Sequence, residues 1–394
     1  MTDTISSAPV SAFRRKLTIG LYIGVVFLYW TALYVYVPAL PTYVQGKAEG
    51  NLAMVGTVLA MYGLWQAVVR LPLGILVDWL GRRKPFIIIG LALAGLGAWL
   101  MGSAGGVPGL LLGRSITGLA AAAWVPLLIA FSSLFPPQER VRATVILTVF
   151  HSISRLLATS VTGSLINVGG DILPFTVAAF AATLGILCVL PVWEQARPRL
   201  RPSVGGIGRL ITRPEVLLPA LLAAVVQYAD FSTTFGFFPI LAKQLGGSHV
   251  TQSLLVSLYM SVVIGGNLSA TFLMRRLGAR RMIYGAFGLL GIGLALAAFA
   301  PLLAALVAAQ ICVALAVGMS YPILMGLSIR FVAEAEQNTA MGLHQSVYAI
   351  GMFSGPWLSG LIASVMGLPW MMGVTSVAVL ALGLAGSTRL AGRE

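Results

Sequence analysis

Apolar runs of about 20 residues, each long enough to cross a bilayer, follow one another along the whole chain with short polar turns between them. Windows of about 19 residues predict spans at 17–40, 52–77, 86–104, 108–135, 144–168, 172–193, 215–241, 251–274, 282–300, 302–329, 339–366 and 369–388. The runs are continuous, not alternating, so they predict helices and not barrel strands. The fold class is therefore an all-α membrane protein with twelve transmembrane helices. The longest connection, 194–214, reads EQARPRLRPSVGGIGRLITRP and divides the spans six plus six. This predicts an N-terminal tail at 1–16, a first bundle at 17–193, a linker at 194–214, a second bundle at 215–388 and a C-terminal tail at 389–394.

Composition agrees with this pattern: 58% of the residues are hydrophobic and 9% charged, where a soluble domain has about half and a quarter. The formal net charge is +14, which could suggest nucleic acid, but its distribution argues otherwise. Twenty of the 25 Lys and Arg fall in the N-tail, the even-to-odd connections or the C-tail. Lys47 and Lys243 lie in the opposite connections, and Arg70, Arg114 and Arg155 lie within spans. The positive-inside rule then places both termini and the linker in the cytoplasm, with the protein in a cell membrane, a bacterial inner membrane by expectation. The basic excess sets orientation and touches anionic lipid; no nucleic-acid partner is expected. The two cysteines, Cys188 and Cys312, sit singly in apolar spans and are read as small packing residues. The N-terminus shows no cleavable signal pattern, so the first run is expected to stay as a helix.

The halves align at an offset of about 197 residues, as expected of an internal repeat. Leu80-Gly81-Arg82-Arg83 matches Leu277-Gly278-Ala279-Arg280, and Glu139, Ala143 and Gly163 match Glu336, Ala340 and Gly360. Parallel repeats of this kind put a binding site near the midplane between pseudo-symmetric halves and allow alternating access by rocking.

The stretch Gly74-x-x-x-Asp78-x-x-Gly81-Arg82-Arg83-Lys84 resembles the signature of the major facilitator superfamily between its second and third helices, over a chain that resembles that family along its whole length. Trp79 departs from it, standing where many members have Arg or Lys. Arg114-x-x-x-Gly118 in span 4 resembles the Arg-containing motif of proton-coupled members. Gly351-Met-Phe-Ser-Gly355-Pro356-Trp-Leu-Ser-Gly360 resembles the Gly-Pro motif that drug–proton antiporters carry in helix 5. Here it stands in span 11, and span 5 has Ala158-Thr159 at the matching place. The resemblance implies the two-bundle fold and a gate formed by Asp78, Gly81, Arg82 and Arg83 with Gly355 and Pro356. In it Asp78 docks at the positive N-terminus of span 11, and Arg114 serves proton coupling. Without gating work, the Asp78 turn would be a topology anchor alone.

Ionisable residues deep in spans are expensive and point to function. His151 and Arg155 share one face of span 5, with Thr148, Thr159 and Thr162 on the same stripe. Asp230 is the only acid deep in a span, about 21 Å along span 7 from its cytoplasmic end. Gln227 and Thr234 share its side. A carboxylate in such a cavity can take up and give off a proton, so Asp230 is the leading proton carrier; a static ion pair with Arg155 or Arg114 is the bland alternative. His151 and His344 are further candidates for proton coupling. Arg70 either snorkels to the interface or faces the cavity. Tyr29 and Tyr36 in span 1, Phe231 and Phe235 in span 7, Tyr348 in span 11, Asn267 in span 8, Gln227 and Arg155 are the candidate substrate contacts; an apolar aromatic wall with few polar points suits an amphiphilic ligand. Each aromatic alone is equally well explained by packing.

No Gly-x-x-x-x-Gly-Lys phosphate loop is present, so ATP does not drive the protein directly. No cofactor, metal or enzyme activity is expected, since no nucleophile–base or ligand set comes together. The expected function is proton-coupled export of small amphiphilic molecules by a monomer, with protons, a small-molecule substrate and membrane lipid as partners. A symporter or exporter of an organic anion or metabolite, a lipid-handling transporter and a membrane sensor remain alternatives.

Overall fold

A computed structural model describes residues 12–194, 208, 210–333 and 336–390. Most of the 194–214 linker, with Arg197, Arg199, Arg201 and Arg209, lies outside the described residues, as do most of both tails. Ten described helices are long and apolar enough to cross a membrane. One of them, His249–Ala298, contains spans 8 and 9 joined at Gly278, whose φ of 75° and ψ of 159° are not helical. The shorter apolar helix Leu173–Val189 supplies span 6. The twelve predicted crossings are thus all present among the described residues.

The repeat survives in the backbone. Gly81 ends span 2 at φ 66°, in the left-handed region that glycine tolerates, and its N–H reaches Val77 O at 3.0 Å. Gly278, its partner in the repeat, turns the chain at the same place in the second half with φ 75°. The match extends to contacts between the halves. A methyl on Gly163 of span 5 would meet His249 O, at the start of span 8, at 2.4 Å; one on Gly360 of span 11 would meet Leu52 O, at the start of span 2, at 2.7 Å. Glycine is what permits both approaches.

These contacts clamp the halves together on the face opposite the basic turns. There Gly56 of span 2 lies against Pro356 and Gly360, and Gly63 lies against Met352. Gly163 N–H donates to Ser253 Oγ at 2.7 Å, the Thr159 and Ser257 hydroxyls share a hydrogen bond of 3.0 Å, and Thr42 Oγ1 donates to Gln252 Oε1 at 3.0 Å. Nearer the basic face, Arg70 of span 2 reaches the Tyr348 hydroxyl of span 11 and is steadied by Gln66 Oε1. It therefore bridges the halves and does not snorkel.

Three spans are interrupted where a regular helix was predicted. Span 1 turns at 35–39 around Pro38 and resumes as Leu40–Lys47. Span 4 breaks between Ala121 and Trp124, ahead of Pro126, which has no N–H to give to the carbonyl one turn back. Span 7 passes through a π-helical turn at Thr233–Phe237, ahead of Pro239. Freed carbonyls find side chains: Tyr29 donates to Ala120 O at 2.7 Å and Thr162 to Val35 O at 2.7 Å.

Candidate functional site

At the centre of the interface between the halves, span 7 presents Asp230, 3% exposed, one residue before the ring of Phe231 and just ahead of the π turn. The hydroxyls of Tyr259 and Thr234 lie against its carboxylate, and Arg155 of span 5 acts on it from the other half. Oδ1 is buried with no hydrogen-bond partner among the described residues. Thr234 accepts from Gln310 Nε2 of span 10 at 3.0 Å, and Gln310 Oε1 is likewise unpartnered. Gln227 is buried one turn before Asp230.

Arg155 is held by ring faces. Its guanidinium carbon stands 4.1 Å from the Tyr34 ring centroid and 5.8 Å from that of Trp30, and Nε has no partner. His151, one turn away, packs its ring 4.2 Å from Trp30 and 5.0 Å from Trp124, with both nitrogens buried and unpartnered. The Trp30 indole N–H is also unpartnered. Aromatic contacts then continue across the boundary: Tyr34 to Phe235 at 6.1 Å, Phe235 to Phe231 at 5.0 Å and to Tyr259 at 5.6 Å, and Phe231 to Tyr62 at 6.3 Å.

The structure thus brings together Asp230, Arg155, His151, Gln227, Phe231 and Phe235. It places the other candidates elsewhere. Tyr29 and Tyr36 turn into the first bundle, one on the Ala120 carbonyl and the other stacked on Phe175 at 5.0 Å. Their neighbours Trp30 and Tyr34 face the site instead, because one residue rotates a helix position by about 100°. Arg114, 3% exposed, lies over the Tyr62 ring at 4.3 Å with Nε and Nη1 unpartnered. His344 faces span 10, where Nδ1 meets Ser328 Oγ at 2.7 Å. Tyr348 receives Arg70. Asn267 is exposed and belongs to no ring or hydrogen-bond pair of the cluster.

Of the gating candidates, Arg82 is exposed, and the side chain of Asp78 lies outside the described residues. Arg83 and Lys84 N–H groups donate to Glu194 Oε1 and Oε2 at 2.6 and 2.9 Å, so an acid from the end of span 6 caps the start of span 3. Gly355 packs on the Tyr228 carbonyl of span 7, and Pro356 puts its own carbonyl against Gly56. The sequence signals for the missed residues were present: Gln66 and Gln310 are isolated amides in apolar spans, and Glu194 is an acid at the edge of one.

A cavity of about 450 Å³ lies away from this centre, at the basic end of the second bundle, with Arg280, Arg330 and Arg389 around an apolar floor. It is not on the boundary that the repeat and the buried acid define.

The family model described as Major Facilitator Superfamily matches residues 22–228 and 220–391, nearly the whole chain. The chain belongs to the Major Facilitator Superfamily. It is a multi-pass membrane protein of that family. It is 32% identical over 181 residues to the Inner membrane transport protein YajR of Escherichia coli, covering 46% of this chain and 38% of that protein. It is 24% identical to Multidrug resistance protein 1 of Bacillus subtilis, covering 57% of this chain and 59% of that one. The chain spans about two-fifths of the length of the curated relatives it matches first. The nucleoside transporter NupG shares the fold, with a TM-score of 0.77 at 17% identity over 95% of this chain and 99% of that one.

Proposed function

We propose that this superfamily member is a proton-coupled transporter and exports small amphiphilic organic molecules from the cytoplasm by alternating access. Asp230 carries the reading. It is a buried acid on the boundary between halves, with one oxygen unpartnered and a guanidinium acting on it from the opposite half. Loss or gain of one proton there changes the attraction between the halves at a point where little water screens it. Proton and substrate then compete for the same buried charges, which is the minimum an exchanger needs. The aromatic rings on both sides supply apolar contact for the body of the substrate. Export is the direction that fits the drug resistance in the name of the Bacillus subtilis relative; the basic turns set only which side faces the cytoplasm. Gly81, Arg82, Arg83 and Asp78 would gate that side, and Gly56, Gly360, Gly355 and Pro356 the other.

The test is proton movement in inverted vesicles with an acidified interior, on addition of amphiphilic compounds, for the wild type and Asp230→Asn. Substrate-evoked proton release by the wild type alone is the expected result. Release undiminished in Asp230→Asn would remove Asp230 from the proton path. Substrate and protons crossing the membrane in the same direction would make the protein a symporter.

A further inference from the structure

The unpartnered polar atoms of the central site are sorted by type. On the first half they are nitrogens: Trp30 Nε1, both His151 ring nitrogens and Arg155 Nε. On the second half they are oxygens: Asp230 Oδ1 and Gln310 Oε1. An indole or guanidinium nitrogen only donates, a neutral imidazole offers one donor and one acceptor, and a carboxylate oxygen only accepts. Buried donors and acceptors left unpaired are costly, so a cluster of them marks where a ligand makes the bonds. The charge balance has a direction too. Among the described residues deep in the spans there are three guanidinium groups and one carboxylate. Arg70 is tied to Tyr348 and Gln66, and Arg114 lies on the Tyr62 ring. Arg155 is bordered by Tyr34 and Trp30 faces, which hold a cation without neutralising it, and it shares its carboxylate neighbour, Asp230, with the Tyr259 and Thr234 hydroxyls.

We propose that the transported ligand is an aromatic acid with a hydrogen-bond donor at its far end. Its acidic group sits among Arg155, Trp30 and His151, and its donor faces Asp230 and Gln310. Between these poles Tyr34 and Phe235 meet edge to face at 6.1 Å, an aromatic contact that the flat body of a ligand would replace. A ligand with both poles touches both halves at once, which ties its binding to their relative position. A cation of the same shape would meet Arg155 at the wrong end. This proposal rests on the central site being the substrate site, and it makes no use of the direction of transport or of proton coupling.

Isothermal titration of the purified full-length protein with 4-hydroxybenzoate, 4-hydroxybenzamide, benzoate and 4-hydroxybenzylamine tests it. The hydroxy acid is expected to bind at least tenfold more tightly than the amide or the amine, and severalfold more tightly than benzoate. Arg155→Gln should erase the gap between acid and amide, while Arg155→Lys keeps part of it. Gln310→Leu should narrow the gap between the hydroxy acid and benzoate, with Asp230 still accepting, and leave the acid–amide gap, which shows that the fold is intact. Equal binding of acid and amide, tighter binding of the amine, binding of none of the four, or an acid–amide gap that survives Arg155→Gln would each overturn the proposal. Binding as expected without proton movement in vesicles would sink the coupling reading alone.

Discussion

Replacing Gly56 by Ala should loosen the clamp that holds the halves together on the face opposite the basic turns. The added methyl would lie 2.2 Å from Pro356 O and 2.9 Å from Gly360 Cα, where ordinary contact begins at 3.4 Å. Both neighbours are backbone on a long helix, so the two spans must part by about 1 Å in an otherwise close-packed interface. Overpacking of this kind costs about 1–3 kcal/mol. The cost falls only on the conformation in which the spans touch, so the equilibrium shifts toward the separated state by about 5- to 150-fold. Alanine also raises helix propensity by about 1 kcal/mol over glycine, but in both conformations alike. Gly24→Ala, where nothing lies within 4 Å of the new methyl, is the control for that gain. Spin labels at Val168 and Phe299, which are 85% and 84% exposed at the ends of spans 5 and 9 on this face, report the separation. Cys188 and Cys312 would first be replaced by Ser. A longer-distance population at least fivefold above wild type is expected for Gly56→Ala, and none for Gly24→Ala. An unchanged distance distribution in Gly56→Ala would refute the clamp.

Three further outcomes follow from named contacts. Ser253→Ala removes the acceptor of the Gly163 N–H at 2.7 Å. At about 0.5–1.5 kcal/mol, it should open the same face less than Gly56→Ala does, by the same label pair; no change would dismiss the bond as a clasp. Tyr348→Phe deprives Arg70 of its bond between the halves. A hydrogen bond to a charged group contributes about 1.5–3 kcal/mol, so the thermal midpoint should fall, and adding Arg70→Gln should lower it by less than the sum of the two. Additive effects would mean the pair does not act together. Arg330→Gln with Arg389→Gln, at the mouth of the basic cavity, should weaken retention of acidic phospholipid roughly thirtyfold, at about 1 kcal/mol per charge. Native mass spectrometry with phosphatidylglycerol measures this, and equal retention would exclude those two residues as the lipid contact.

The twelve crossings were readable because a bilayer imposes one length on every helix, and the repeat was readable because Gly81 and Gly278 must both turn with positive φ. The faces of those helices were harder to read. A helix apolar all round has no hydrophobic stripe to set its rotation, so Tyr29 and Tyr36 looked as good as Trp30 and Tyr34. The turn at 35–39 then changes the phase of span 1 part-way along. His151, Arg155 and Asp230 stood out because charge or imidazole inside a span needs a reason. Where Arg155 and Arg114 stand relative to Asp230 is a tertiary fact, since spans 4 and 5 belong to one half and span 7 to the other. The Glu194 cap on span 3 was hidden for the same reason: its partners, Arg83 and Lys84, lie more than a hundred positions earlier.

The irregular part of span 7 links the buried acid to the clamp. Asp230 stands two residues before the regular helix ends at Ser232, and the π turn that follows aims Thr234 at Gln310. Two residues before Asp230, the Tyr228 carbonyl supports Gly355 of span 11, with room for nothing larger than hydrogen at 2.4 Å. The next residue, Pro356, presents its carbonyl to Gly56. If protonation of Asp230 shifts span 7 as proposed, the segment of span 11 on the opposite face would feel it, through backbone contacts that cannot absorb it by side-chain rotation. Juxtaposition alone does not establish coupling; a double-mutant cycle does. Asp230→Asn imitates the protonated acid and Gly56→Ala weakens the clamp. If the two sites communicate, the free-energy shift read from the short- and long-distance populations between Val168 and Phe299 in the double variant should depart from the sum of the single shifts by at least about 0.5 kcal/mol, the lower end of coupling for residues that share a network. Additivity within that margin would mean that the proton site and the clamp work independently, and the line through Tyr228 and Gly355 would be packing alone.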